Sequence, residues 1–162
     1  MLLEAAINHV LWWETGGDLV NGAPHDDPDD PGGFTKWGIS QRAWPNLSIK
    51  DLTKTQAETI YLNNYWFLFN INLLPPIIGI QVFDFGVTSG PSRAIRILQR
   101  TLNLKVDGNI GQKTIAACAD PEAARKYLIT RLNFYRKLKK SKYESGWENR
   151  AAACALVAGR FI

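Results

Sequence analysis

The sequence predicts a mostly α-helical chain, one compact domain with a small hairpin or irregular loop near its first helix. Three observations carry this. Apolar residues recur at helical spacing over most of the chain, glycine and proline gather in residues 14–40, and no alternating run is long enough for a large sheet. At 162 residues with 46% hydrophobic content the chain is long enough for one well-buried core.

The first helix is expected over residues 2–14, where Leu3, Ile7 and Val10 share a stripe that Glu14 continues. An acid that extends an apolar stripe at a helix end points to core or cleft, and desolvation there raises a carboxyl pKa, as a general acid requires. Gly16 and Gly17 stop the helix. In residues 18–39, Asn21-Gly22 is a tight-turn signal, and Asp27-Pro28, Asp30-Pro31 and Gly32-Gly33 forbid regular continuation. Phe34, Trp37 and Ile39 anchor that loop, and Trp37 suits either core packing or a platform for a sugar ring. His25 with Asp26, Asp27, Asp29 and Asp30 does not match calcium-loop spacing, so no metal or cofactor is expected.

Ser40 is placed to cap a short helix ending before Pro45. Thr53 and Gln56 make a capping box for a longer helix to about residue 69, whose aromatic end is expected mostly as core. Residues 77–87, nearly all apolar, read as a central helix interrupted by Asp84, which if buried must be paired or hydrogen-bonded and is expected to cap or tie neighbouring backbone. Pro91 opens a further helix to Leu104, a turn spans residues 107–111, and Asp120-Pro121-Glu122 starts a long amphipathic helix. A terminal helix is expected from Trp147 to Phe161.

Charge is split: residues 1–80 hold 4 basic and 9 acidic side chains, and residues 81–162 hold 15 and 6. A basic half suits a polyanionic surface such as a cell envelope. No nucleic-acid motif accompanies it. No apolar run reaches the roughly 18 residues of a membrane span, and Glu4 interrupts the place of a signal peptide. The chain is therefore expected to begin in the cytoplasm. Cys118 and Cys154 lack paired spacing and are expected as buried thiols.

Glu14-Thr15-Gly16-Gly17, residues 27–33 (Asp-Pro-Asp-Asp-Pro-Gly-Gly), Thr35 and Gly38-Ile39 resemble the signature of the glycoside hydrolase family 108 muramidases, endolysins of phages and prophages with bacterial relatives. The resemblance continues through residues 61–66, Leu74-Pro75, residues 83–90, the Asp107-to-Thr114 stretch and Gly146-Trp147-Glu148-Asn149-Arg150. Thr15 stands where that signature usually has glycine.

The resemblance implies a lysozyme-like, all-α fold and cleavage of the β-1,4 bond between N-acetylmuramic acid and N-acetylglucosamine, with Glu14 as catalytic acid. It also implies a catalytic lobe over residues 1–74 and a helical lobe over 75–162 resembling a peptidoglycan-binding segment, packed as one monomeric unit. Peptidoglycan strands are the expected partner, reached in the periplasm or at the wall with help from a separate permeabilising or secretion protein. Among the aspartates, Asp30 is the candidate to orient water with Thr35, five residues on, giving inversion. Trp37, Gly33 and Tyr65 are the substrate-binding candidates. A lytic transglycosylase and a non-catalytic peptidoglycan-binding protein are the competing readings.

Overall fold

The structure is a computed structural model, and it describes residues 2–26 and 32–161. Asp30, with Asp27 and Asp29, lies outside the described residues. The fold is mostly α, as expected, with seven α-helices among the described residues. They are α1 (Leu2–Glu14), α2 (Lys54–Tyr61), α3 (Pro76–Ser89), α4 (Pro91–Thr101), α5 (Gln112–Ala117), α6 (Ala123–Lys137) and α7 (Ser141–Ala158). One antiparallel hairpin joins β1 (Thr35–Lys36) to β2 (Ile39–Ser40), with Thr35 opposite Ser40 and Lys36 opposite Ile39.

The chain divides into two compact units: Ile7–Asn63, and Asn64–Ile162 together with Met1–Ala6. The expected lobes met at residue 74, whereas the units meet at Asn63 and Asn64. In the first unit, Ile7, Val10, Leu11, Trp37, Ile39, Ile49, Leu52 and Tyr61 are buried. The Thr53–Gln56 capping box is present in both directions, satisfying two orphan amide groups at the start of α2.

Two local expectations are corrected. Ser40 does not cap a helix; residues 41–47 turn instead around the Gln41 carboxamide, which donates to the carbonyls of Trp44 (3.0 Å) and Leu47 (2.8 Å). The helix of α2 ends at Tyr61, and the chain continues as a π-helical turn (Leu62–Phe67) and a 3-10 turn (Ile71–Leu73). A π turn widens the coil and rotates the later side chains around its axis. Trp66 is thereby buried edge-on against Phe83 (5.3 Å between centroids), while Phe67, expected as core, is 45% exposed.

The second unit is organised around α3, which packs against α4, α6 and α7. Ile78, Ile80, Val82, Phe83 and Phe85 of α3 are completely buried. So is Asp84, and its charge is matched on both oxygens: Arg131 of α6 donates to Oδ2 (2.6 Å) and Arg150 of α7 to Oδ1 (2.7 Å). Arg131 also lies over the rings of Phe85 and Tyr135 and donates to the Tyr135 hydroxyl (2.9 Å). This ion group joins three helices at one point. Cys118 and Cys154 are buried free thiols, as expected, and the Cys154 thiol donates to the Ile80 carbonyl (3.7 Å).

Candidate active site

Glu14 ends α1 in the first unit, half-buried, on the side of the helix that carries Ile7 and Val10. Thr15 comes next and is buried; both its amide (3.0 Å) and its hydroxyl (2.8 Å) donate to the Leu11 carbonyl. The helix therefore closes firmly just after the carboxylate, and Thr15 fills by packing and back-bonding the place where glycine is usual.

Glu14 faces the turn of the hairpin. A Cβ added at Gly38 would stand 2.8 Å from Glu14 Cβ, 2.9 Å from Glu14 Oε2 and 2.7 Å from Tyr61 Oη. Only glycine lets this backbone come so close. The turn has two residues, Trp37 (φ 57°) and Gly38 (φ 72°), both left-handed. That is the geometry of a type I′ hairpin, whose twist matches its strands. A tryptophan held at positive φ costs on the order of 1–3 kcal/mol, and its environment must over-determine it. The indole is 2% exposed, its Nε1 donates to the Leu52 carbonyl (3.2 Å), and the Trp37 carbonyl accepts from the Tyr61 hydroxyl (3.0 Å). Gly22 lies flat against the ring, where any side chain would collide. The Trp37 amide donates to the Gly22 carbonyl (2.7 Å).

These contacts correct one expectation: Trp37 offers no free ring face to a sugar. Its ring is core, and what it contributes is the position of the turn against Glu14. The Asn21-Gly22 signal is likewise real but serves another end. It makes no hairpin; its glycine seats the indole. The loop before it is tied by Asp18, whose carboxylate accepts from the amides of Asn21 (2.9 Å), Val20 (3.2 Å) and Ala23 (3.3 Å). The amide of Asn21, most of all, holds the Asp18 carboxyl below its ordinary value.

Thr35 lies on β1, half-buried, three residues before Gly38. Its backbone exchanges two 2.8 Å bonds with His25, and its hydroxyl donates to the Gly33 carbonyl (3.2 Å). Gly33 has φ +66°, and a Cβ there would meet Gln41 Cβ at an ordinary 3.9 Å. Glu14, Gly33, Thr35, Trp37, Gly38 and Tyr61 thus all belong to the unit Ile7–Asn63. Tyr65 belongs to the other unit, half-buried in the π-helical turn. Gly38 and Tyr61 are the positioning residues to which pattern reading gave no role; their signals were the Gly38-Ile39 dipeptide and the 61–66 stretch in the family resemblance.

Comparisons with known proteins identify the family. The Glycosyl hydrolase 108 family matches residues 7–90, just over half of the chain, and the Predicted Peptidoglycan domain matches residues 93–152. No curated protein matches the chain in sequence. Among solved structures, SagA of Brucella abortus is 33% identical and superposes with a TM-score of 0.79, covering 98% of this chain and 94% of that one. The mostly helical fold is thus lysozyme-like, and no helix among the described residues is long and apolar enough to cross a membrane. The chain belongs to glycosyl hydrolase family 108: it is a glycoside hydrolase acting on peptidoglycan, its Glu14 seated against the Trp37-Gly38 turn.

Proposed function

We propose that the enzyme is an endolysin-type N-acetylmuramidase that hydrolyses the β-1,4 bond between N-acetylmuramic acid and N-acetylglucosamine. The observation that carries this reading is the close seating of Glu14 against Gly38, which fixes one carboxyl group beside a glycine turn in a half-buried position. In the proposed reaction the Glu14 carboxyl gives its proton to the glycosidic oxygen as the bond from that oxygen to the anomeric carbon breaks. A water held by Asp30 and Thr35 attacks the anomeric carbon from the opposite face and gives its proton to Asp30, which inverts the configuration. Asp30 is proposed on sequence spacing alone. Thr35 is supported by its place on the same hairpin as Gly38.

The products test this. Digested peptidoglycan should end in reducing N-acetylmuramic acid, and proton NMR of the first turnovers should show the α-anomer. Anhydro-muramic ends would replace the reading with a lytic transglycosylase; an initial β-anomer would make the second carboxylate a nucleophile. Binding without solubilisation would leave only a wall-binding protein.

The surplus of basic residues beyond residue 80 is proposed to draw the enzyme to the anionic envelope after a separate protein admits it to the periplasm or wall. Lysis should then fall as salt rises to physiological strength. A flat salt response removes that part of the proposal.

A further inference from the structure

A pocket of about 330 Å³ lies wholly within the unit Asn64–Ile162, between α4 and α5. Several charged and polar side chains on a braced loop contribute to its lining. The carboxamide of Gln99, on α4 and only 2% exposed, makes three hydrogen bonds to that loop. Its Nε2 donates to Asp107 Oδ1 (2.7 Å) and to the Asn109 carbonyl (2.9 Å), and its Oε1 accepts from the Gly108 amide (2.8 Å). Arg96 braces the other side, donating to the Val106 carbonyl (3.1 Å) and lying where a side chain at Gly108 (φ +81°) would go. A loop tied twice to a long helix keeps its shape before any ligand arrives, so little ordering cost is left for binding.

What the loop presents is charged. Thr114 is 4% exposed and lines the pocket. Lys105 and Lys113 line the pocket and make no ion pair among the described residues. Asp107 is there too; the Asn109 amide, then the Gln99 carboxamide and then the charge of Lys105 hold its carboxyl below the ordinary value, so it is ionised at neutral pH. A site with only lysines would fit any anion. Two ammonium groups and one fixed carboxylate, with a hydroxyl beside them, fit a ligand carrying both signs close together.

We infer that this pocket binds the free zwitterionic end of a peptidoglycan stem peptide, an amino acid whose ammonium and carboxylate sit on one carbon. The carboxylate meets Lys105, Lys113 and the Thr114 hydroxyl, and the ammonium meets Asp107. The site would let the second unit read the peptide while the first unit cuts the glycan. The inference rests on peptidoglycan being the partner, but not on which glycan bond is cleaved.

The test is a titration of the full chain, monitored by amide NMR, with a muramyl peptide of a single sugar ending in a diamino acid whose far amino and carboxyl groups are free. That probe contains no glycosidic bond between sugars, so the muramidase reading can fail without affecting the outcome. Shifts should concentrate on residues 105–114. Lys113→Gln and Thr114→Val should each weaken binding by about fivefold, the scale of one exposed ion pair or one hydrogen bond. N-acetylating the far amino group, or amidating the far carboxyl, should weaken binding similarly. Inorganic phosphate binding as tightly as the probe would overturn the inference in favour of a plain anion patch. So would shifts elsewhere, no binding, or indifference to both modified probes with the variants folded as the parent.

Discussion

The two units solve opposite problems. The unit Ile7–Asn63 places seven described residues at positive φ, Ala23 and Trp37 among them, whereas the longer unit places five. Its order comes from turns, each tied by a specific bond: Asp18 to the amides after it, Gln41 to the carbonyls of 44–47, Trp37 to Leu52 and Tyr61. The unit Asn64–Ile162 instead wraps helices around α3 and spends its buried charge on one point, Asp84. Strain is tolerated where a carboxylate must be held against a backbone, and packing is used where rigidity alone is needed.

Breaking the packed unit should give the largest effect. Asp84→Ala leaves the Arg131 and Arg150 guanidinium groups buried without their carboxylate, and should cost about 3–5 kcal/mol. Chemical denaturation measures this; a loss under about 1 kcal/mol would show that the ion group contributes little. Breaking the strained unit should act on catalysis more than on stability. Gly38→Ala pushes a methyl group into Glu14 and Tyr61 and should lower turnover on the order of a hundredfold, with a stability loss of at least about 1 kcal/mol. An unchanged rate would separate the turn from the chemistry.

The pH response should also differ between the two. Asp18 has a carboxyl held below its ordinary 3.8, so it stabilises the first unit's loop above that pH and ceases to as pH falls below it. Burial pushes the Cys118 thiol from 9.0 up to about 12, so its neutral form favours the fold below pH 9 and that stabilisation fades as pH climbs toward 12. Amide exchange in residues 18–23 on acidification, and thiol alkylation at Cys118 on alkalinisation, track the two separately. Rapid alkylation of the folded protein at pH 8 would contradict the second.

Much of the helical unit was legible. Pro91 at a first turn and the apolar run of α3 are local or nearly local signals, and that a buried Asp84 needs partners follows from its place in that run, although neighbouring backbone was expected to supply them. The partners of Asp84 were not, because Arg131 and Arg150 lie 47 and 66 residues away and nothing in a single sequence ties them to it. In the other unit Glu14 could be picked out from its stripe, and the capping box of α2 from its two residues. The hairpin turn could not. Turn rules look for Asn-Gly or Asp-Gly, whereas here a tryptophan takes the left-handed position because the core, with Gly22 beneath the ring, holds it there. The π turn after Tyr61 was hidden for a related reason: aromatic residues look alike to a periodicity argument, and a one-residue change of register exposes Phe67 while burying Trp66.

The claim that the strained unit exists to hold one acid is tested most directly by Glu14→Gln, assayed as release of reducing ends from purified peptidoglycan beside a thermal melt. The account predicts a rate loss of about a thousandfold, within the range for removing a general acid, with the melting temperature little changed. A folded Gln variant that keeps a substantial share of the parent's rate would contradict it.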